Sequence, residues 1–232
     1  MRIAVISDIH GNLMALDAVE NDIEKMDVDE IWCGGDVAWG GPWAERCIER
    51  VRSAGWTTVK GNTDVWITGD PQTAETEEER VRLMALAAAH DISVDDRDWL
   101  LNLPLGHKGL GGLLLVHGTP ESPFAGPLPD AGPLEFAPYE GMAPVVVYGH
   151  VHRGFVRRLA DGTIVANAGS VGFPMDGELA TYLIIEQTGT DWTITHRRVP
   201  FDRRAVMAQA RVAGGKIEEW TLEKMGPEKM GA

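Results

Sequence analysis

Eight side chains of types that serve metal sites follow five separate apolar segments of this 232-residue chain. They are Asp8, His10, Asp36, Asn62, Asp64, His117, His150 and His152. The set contains imidazoles, carboxylates and one amide but no thiolate, which favours manganese, iron, zinc or cobalt over a cysteine-rich structural zinc site. Calcium and magnesium fit less well, because they prefer all-oxygen ligand shells. The residues therefore predict a site for two divalent transition-metal ions, with Asp64 in a supporting role.

The apolar segments that precede these residues are typical of buried strands. They are Arg2–Ile6, Glu30–Cys33, 57–60, Leu113–Val116 and Val145–Tyr148. Side chains two apart on an extended segment point the same way, so Asp8 with His10, and His150 with His152, are expected to form chelating pairs. Glycines beside nearly every cluster let the backbone turn sharply or approach an ion closely. We expect all five clusters at one edge of a sheet.

In this order, the residues resemble the calcineurin-like metallophosphoesterase superfamily. Its pattern is Asp-x-His, Gly-Asp, Gly-Asn-His-Asp/Glu, His and Gly-His-x-His. The matching blocks span positions 8 to 152, and residues 167–170 resemble the Asn-Pro-Gly-Ser turn that follows in the family. The short chain is most similar to the small bacterial and archaeal phosphodiesterases of the group. The resemblance implies an α/β fold, a four-layer sandwich of two mostly mixed β-sheets flanked by helices.

Carried over residue by residue, the resemblance implies two groups of metal ligands. One group is Asp8, His10 and His152, and the other is Asn62, His117 and His150. Asp36 is expected to bridge the groups, since two cations about 3.5 to 4 Å apart repel each other and need an anion between them. Asp64 is expected to orient a ligand from behind, and Asn12 either does the same or caps the following helix. Asp36, Asn62, Asp64 and His117 are the expected catalytic residues.

The chain departs from the family pattern at Thr63. Most phosphatases of the superfamily have a histidine there, which serves as the acid for the leaving oxygen or steadies the phosphate. A threonine hydroxyl cannot donate a proton usefully near neutral pH, and general acid catalysis contributes roughly 10²–10⁴-fold. The leaving oxygen would then depend on metal, on solvent or on being a good leaving group.

The resemblance implies a metal-dependent phosphoesterase, in the first instance a phosphodiesterase, that acts on a small phosphate ester. Hydrolysis would proceed by in-line attack of a hydroxide that bridges two metal ions. Two alternatives stay open: a phosphomonoesterase, including a protein or nucleotide phosphatase, and a noncatalytic metal-binding interaction module on the same fold. The presence of every metal ligand favours an enzyme, and Thr63 weakens the protein phosphatase alternative.

Composition limits the other function classes. The formal net charge is −14, from 35 acidic and 21 basic residues, and this balance disfavours nonspecific binding to a nucleic-acid backbone. A hydrophobic content of 44% excludes wholesale disorder. No apolar run reaches the roughly 18 residues of a membrane span, and the N-terminal segment lacks the pattern of a signal peptide. We therefore expect a cytoplasmic protein, in which Cys33 and Cys47 form no disulfide framework.

The order of apolar patterns predicts one domain over residues 1–232. Apolar side chains at helical spacing predict helices over 12–26, 42–52, 73–90 and 95–101. A hairpin is expected over 155–166, and a second antiparallel pair over 179–186 and 192–199. Residues 202–232 are expected to form a C-terminal helical segment whose last helix, over 218–225, is peripheral. This order predicts two facing sheets with outer helices.

The proline-rich segment 118–144 is an irregular insertion between two ligand clusters, and it could shape the substrate cleft. Its aromatic residues Phe124, Phe136 and Tyr139 could stack on a base or an aromatic ester, or they could pin the loop to the surface. Pinning is the favoured interpretation.

Several residues outside the pattern also have alternative interpretations. The histidines that we interpret as structural are His90, His107 and His196. Trp39 and Trp43 either wall the cleft or pack, with packing favoured. Arg153 could contact a phosphate or form a structural ion pair.

Overall fold

The computed structural model describes residues 1–69 and 74–226 and has an α/β fold built on two five-stranded sheets. The strands are β1 (Arg2–Ile6), β2 (Glu30–Cys33), β3 (Thr57–Thr58), β4 (Gly106–Lys108), β5 (Leu113–Val116), β6 (Val145–Tyr148), β7 (Phe155–Arg158), β8 (Ile164–Asn167), β9 (Ala180–Thr188) and β10 (Asp191–Val199). The first sheet has the order β10-β9-β1-β2-β3, and the second has the order β4-β5-β6-β8-β7. Both predicted antiparallel pairs, β7 with β8 and β9 with β10, are confirmed.

Helices flank the two sheets, as the fold prediction expected. They are α1 (Leu13–Ile23), α2 (Ala44–Ser53), α3 (Asn62–Trp66), α4 (Glu77–Ala89), α5 (Val94–Leu101), α6 (Pro133–Phe136), α7 (Arg203–Ala213) and α8 (Gly215–Met225). The predicted helix over 73–90 begins at Glu77, where the Thr76 hydroxyl accepts a hydrogen bond from the Glu79 amide and caps the first turn. Residue 73 lies outside the described residues. No helix in the described ranges is long and apolar enough to span a bilayer.

The ligand-bearing segments are divided between the two sheets. β1, β2 and β3 run parallel in the first sheet, and β5 and β6 run parallel in the second. The prediction of a single sheet edge is therefore wrong, and the edge is formed where two sheets meet. Apolar patterning reports that a strand is buried, but it carries no information about which strand lies beside it.

Side chains from both sheets form the core between them. This layer includes Ile3 and Val5 from β1, Leu113 and Leu115 from β5, and Val147 from β6, all nearly inaccessible to solvent. The alternate residues of β1, among them Ala4 and Ile6, pack instead against the helices on the outer face. Burial on both faces explains why these strands read as continuous apolar runs rather than alternating ones. It also gives the residues that follow them a rigid base.

The insertion over 118–144 is packed on the outer face of the second sheet. Phe136 and Tyr139 are fully buried there, and the Tyr139 hydroxyl donates a hydrogen bond to the Gly118 carbonyl at 2.9 Å. The Arg157 guanidinium lies 4.3 Å from the Phe136 ring centroid. These two aromatic residues therefore pin the loop, which supports the favoured interpretation, whereas the Phe124 ring lies 6.3 Å from that of Trp66.

The C-terminal segment is helical up to the last described residues, with α7 and α8 joined at Gly214. Residues 227–232 of the predicted segment lie outside the described residues. Helix α8 is not peripheral, because it contacts both α7 and α4. Both cysteines are buried and free, as expected.

Candidate metal centre

Most of the predicted ligands lie in left-handed backbone. The φ angles are 56° at Asp8, 52° at His10, 55° at Asp36, 66° at His150 and 55° at His152. Across the described ranges, Asp27 is the one other residue besides glycine with a positive φ. A left-handed residue other than glycine costs on the order of 1–3 kcal/mol and persists only where the surroundings enforce it. Such conformations cluster at functional sites, and here they follow the ends of β1, β2 and β6.

The first predicted ligand group converges around a small volume. One ligand atom from each of Asp8, His10, Asp36 and His152 lies within 4.8 Å of all the others. The Nε2 atoms of His10 and His152 are 3.0 Å apart, and His152 Nε2 lies 3.1 Å from a carboxylate oxygen of Asp8. Two ring nitrogens at that distance need a proton or a metal ion between them.

Backbone carbonyls fix the orientation of both imidazoles. His10 Nδ1 lies 3.0 Å from the Trp39 carbonyl oxygen, and His152 Nδ1 lies 2.8 Å from that of Phe173. A carbonyl can only accept, so each Nδ1 is the N–H donor and each Nε2 is left to face the cluster. This is how metal-binding histidines are usually held.

The second predicted group lies beside the first. Asn62 Oδ1 is 3.0 Å from His117 Nε2 and 2.9 Å from His150 Nδ1. The Nδ1 of His117 donates to the Gly34 carbonyl at 2.7 Å, which again leaves Nε2 facing the cluster. His150 and His152 thus belong to different groups, so the prediction that they chelate as a pair is wrong. His150 and His152 themselves have left-handed backbone rather than extended backbone. The rule that side chains two apart point the same way therefore does not apply to them.

Asp36 lies between the two groups. Its Oδ2 atom is 3.6 Å from His10 Nε2 and 3.5 Å from His117 Nε2. Its Oδ1 atom accepts a hydrogen bond from the Thr63 amide at 2.8 Å, which holds the carboxylate in place. One carboxylate oxygen is therefore almost equidistant from the two groups, as a bridging ligand would be.

The contacts of Asp64 with the cluster are hydrogen bonds to backbone amides. Its carboxylate accepts hydrogen bonds from the amides of Asp36, Val37 and Gly61, at 2.8, 2.9 and 2.9 Å. It therefore fixes the loop that carries Asp36. Asn12, the other residue considered for such a role, caps α1, because its Oδ1 accepts from the Ala15 amide at 3.1 Å. Its side-chain amide also donates to the Gly172 carbonyl at 2.8 Å, and the Gly172 amide donates to the Asp8 carbonyl.

The turn at residues 167–170 braces two of the ligand loops. The Ser170 hydroxyl donates to the Asp8 carbonyl at 2.8 Å, and the Asn167 side-chain amide donates to the Gly149 carbonyl. The family-like turn thus holds the loops that carry Asp8 and His150.

Burial and neighbouring charges shift the pKa values of the cluster. Burial and the charge of His152 lower the pKa of His10 to about 3, and burial and His117 lower the pKa of His150 to about 3. These two imidazoles are therefore neutral at pH 7, which is the form that binds a metal ion. Burial alone would lower the pKa of His117, but the charges of Asp36 and Asp8 outweigh it and raise that pKa. The carboxylates thus favour a positive charge at the centre.

A cavity of about 280 Å³ opens over the cluster. Its floor includes His10, Asp36, Asn62, Thr63, His150 and His152. Helices α4 and α8 form walls, through residues that include Arg82, Leu86, Lys216 and Trp220. Both helices were predicted from the sequence, but their place at the site was not, because they carry no ligand motif; a tryptophan within the charged helix α8 was the available signal.

The remaining candidates lie where packing explains them. Trp39 both lines the cavity and is 3% exposed, while Trp43 packs in the core. His90 is buried and accepts a hydrogen bond from the Gly40 amide at 3.0 Å. His107 packs edge-on against Trp32, and His196 lies 2.9 Å from the Asn167 carbonyl oxygen. Arg153 is exposed and is not among the residues that line the cavity.

Comparison with known proteins identifies relatives across nearly the whole chain. An uncharacterized protein of Methanocaldococcus jannaschii is 30% identical over an alignment of 244 residues, which covers 96% of each protein. The crystal structure of a metallophosphoesterase from Sphaerobacter thermophilus superposes with a TM-score of 0.76 at 27% identity, over 97% of this chain and 99% of that one. A hypothetical protein from Pyrococcus horikoshii OT3 has the same TM-score at 18% identity, over 94% and 96%, and thus shares the fold.

The family assignment rests on the same blocks that form the cluster. A model of the calcineurin-like phosphoesterase superfamily domain matches residues 1–190, which contain every predicted ligand. This match covers more than half of the chain. The protein therefore belongs to the calcineurin-like phosphoesterase superfamily.

Proposed function

We propose that this protein is a phosphoesterase, in the first instance a phosphodiesterase, that hydrolyses a small phosphate ester with the help of two divalent ions. Manganese, iron, zinc and cobalt suit the mixture of imidazole and carboxylate ligands. The observation that carries the proposal is the position of Asp36 Oδ2, which lies at nearly equal distances from His10 Nε2 and His117 Nε2, 3.6 and 3.5 Å. A carboxylate in that position offers one anion to both ligand groups.

The ligand set fits such ions. Asp8, His10 and His152 would hold one ion and Asn62, His117 and His150 the other, with Asp36 shared. When bound, two such ions lower the pKa of water and neutralise the oxygens of a phosphoryl group during in-line displacement. The chain itself keeps the Nε2 atoms of His10, His117 and His152 aimed at the centre through backbone carbonyls. Asp64 holds the Asp36 loop, and it acts as a positioning residue.

The size of the cavity and the net charge of the protein favour a small substrate. A cavity of about 280 Å³ lies near the lower end of the roughly 300–1,000 Å³ found for small-molecule sites. The net charge of −14 disfavours a long nucleic-acid backbone. Thr63 stands where phosphatases of the superfamily have a histidine, which favours a diesterase over a protein phosphatase. A small phosphodiester is therefore the expected substrate.

The test combines metal analysis with hydrolysis. The protein is stripped with a chelator, reloaded with manganese, zinc, cobalt or iron, and assayed on a phosphodiester and on its matching monoester. We expect about two ions per chain, activity that depends on the metal, and a preference for the diester. Metal binding without hydrolysis of any ester would instead indicate the noncatalytic interaction module.

The Asp36→Asn variant tests the bridging role. The amide carries no charge to offset two cations, so we expect both metal occupancy and turnover to be lost. The matched control is Asp130→Asn, because Asp130 is exposed and lies outside the cavity lining. Retention of two ions and of activity in Asp36→Asn would contradict the proposal.

A further inference from the structure

Helix α8 lies outside the matched family domain, which ends at residue 190, and yet it forms a wall of the cavity over the ligand cluster. One residue of this wall, Trp220, lies beside a predicted ligand. The Trp220 ring centroid lies 5.6 Å from that of His10 and 4.5 Å from that of Phe173, which it meets edge-on. The C-terminal segment therefore contributes an aromatic surface to the proposed active site.

The packing of α8 holds this indole in place. A side chain at Gly40 would have its Cβ within 2.4 Å of the Trp220 ring, so the indole rests directly on the Gly40 backbone. Gly40 has a φ of +92°, a conformation that itself favours glycine. The next residue, Thr221, is fully buried. Trp220 is therefore a fixed part of the wall rather than a freely moving surface residue.

A second indole, that of Trp66, lines the same cavity. Trp66 ends α3, the short helix that begins at the ligand Asn62. Its ring packs edge-on against Trp39, with centroids 5.7 Å apart, and lies 6.3 Å from Phe124. Trp39 is almost fully buried, whereas Trp66 and Trp220 are only partly buried and line the cavity. Two partly exposed indoles thus share a small cavity with the ligand cluster.

Amphipathic aromatic walls of this kind suit a planar ring. Stacking on an aromatic side chain strengthens binding roughly 5- to 150-fold per base and tolerates any ring with a π face. We propose that Trp220 and Trp66 form a subsite for a planar aromatic group carried by the ester, so that the substrate class is the phosphate esters of nucleosides or of aryl alcohols. This inference rests on the proposed function, since it assumes that the phosphate binds at the ligand cluster.

The test compares substrates that differ only in the ring. One pair is the methyl phosphodiester of adenosine 5′-phosphate and that of ribose 5-phosphate. The other is phenethyl methyl phosphate and its cyclohexylethyl counterpart. Within each pair the reacting phosphodiester is the same, so the ratio of kcat/KM values reports the ring alone. We expect the aromatic member to be favoured at least about 5-fold; preference in both pairs indicates a general aromatic subsite, and preference in the adenosine pair alone indicates a nucleobase.

Substitution assigns the preference to the indoles. In Trp220→Leu, which keeps apolar bulk but removes the π face, we expect the ratio to fall toward one, and Trp220→Phe should keep most of it. Trp66→Leu provides a second variant if Trp220→Leu does not fold. The control is Trp192→Leu, because Trp192 is a partly buried indole on β10 that packs between the sheets, away from the cavity lining. Its ratio should match that of the wild type.

A binding measurement separates this inference from the proposed function. Calorimetry with manganese present compares adenosine 5′-phosphate with ribose 5-phosphate, and needs no turnover. Tighter binding of the adenosine compound that is lost in Trp220→Leu supports the subsite, even if no ester is hydrolysed and the proposed function fails. Equal binding of the two compounds, or hydrolysis without any preference for the ring, would overturn the subsite while leaving the phosphoesterase in place.

Discussion

The Asp and His residues of the cluster contribute a backbone conformation as well as their side chains. Both residue types are enriched in left-handed conformations relative to other residues that have a Cβ, and the cluster uses this at Asp8, His10, Asp36, His150 and His152. The motifs could be predicted from sequence because each one combines a ligand type with a strand end. The direction of His150 away from His152 could not, because it depends on φ angles that the spacing does not encode.

Thr63 is the residue with the clearest consequence for turnover. Its amide holds Asp36, and its side chain is an alcohol, which is too weak an acid to protonate a leaving oxygen near neutral pH. We predict that Thr63→His raises hydrolysis of alkyl phosphate esters more than of nitrophenyl esters, because a poor leaving group needs a proton more. General acid catalysis sets the upper range at roughly 10²–10⁴-fold.

Steady-state kinetics on both ester types checks this prediction. The control is Thr63→Val, which keeps the branched shape of threonine and adds no acid, so it should leave the selectivity between the two esters as it is. Equal gains on alkyl and nitrophenyl esters in Thr63→His would show that the histidine acts in some other way.

His90 should make the protein sensitive to acid independently of the ligands. Burial, with a smaller contribution from Arg97, lowers its pKa to about 4, while an unfolded histidine titrates near 6.5. The unfolded state thus binds more protons between these values, so stability is fully present above pH 6.5 and is lost as the pH falls toward 4. We predict that about 2 kcal/mol of the loss between pH 7 and pH 5 is absent in His90→Gln.

Urea unfolding of the metal-free protein at the two pH values measures this difference. His107→Gln is the control, since His107 packs against Trp32 and reports the general cost of losing a ring. Parallel losses of unfolding free energy in wild type and His90→Gln would contradict the assignment.

At the level of elements, the bounds of the strands were predicted from the sequence more accurately than the order in which the strands pair. β1, β2, β5 and β6 have the predicted bounds, because a strand buried on both faces has a sharp apolar run. Two facing sheets were predicted, but the strands that pair within each sheet were not, since pairing of β5 with β6 and of β1 with β9 depends on contacts far apart in the chain. The position of α8 over the cluster also depends on a contact between residues far apart in the chain, that of Trp220 with Gly40.

The loop between β3 and α3 gives the element-scale prediction. Gly61 has an ordinary φ of −90°, but a Cβ there would lie 2.0 Å from Asp36 Oδ1. Gly61→Ala should therefore push the Asp36 carboxylate away from the cluster, and we expect reduced metal content together with a stability loss of about 1–3 kcal/mol from overpacking.

Metal analysis and urea unfolding of the same preparations check both effects. The matched control is Gly132→Ala, because Gly132 has a φ of −67° and an added Cβ would meet nothing within 4 Å. Gly132→Ala should change stability by less than about 0.5 kcal/mol. Equal behaviour of the two variants would mean that the Asp36 loop adapts without cost.

For the molecule as a whole, the cluster joins the two halves of the fold. Asp8, Asp36 and Asn62 follow strands of the first sheet, whereas His117, His150 and His152 follow strands of the second. Ions held by both sets would couple the sheets. Without a cation, the buried carboxylates of Asp8 and Asp36 have ligand atoms within 4.8 Å of each other and repel. The free energy of unfolding should therefore rise with the concentration of free metal.

Linkage turns this coupling into a count of ions. A ligand that binds only the folded state adds RT ln(1 + [L]/Kd) to the free energy of unfolding, so at saturation each bound ion contributes about 1.4 kcal/mol per tenfold rise in free metal. Two ions per chain predict a slope of about 2.7 kcal/mol per tenfold. Urea unfolding in buffered manganese measures it, and Asp36→Asn, which lacks the shared anion, should flatten the dependence. A wild-type slope of about 1.4 kcal/mol would mean a single ion and would remove the shared role of Asp36.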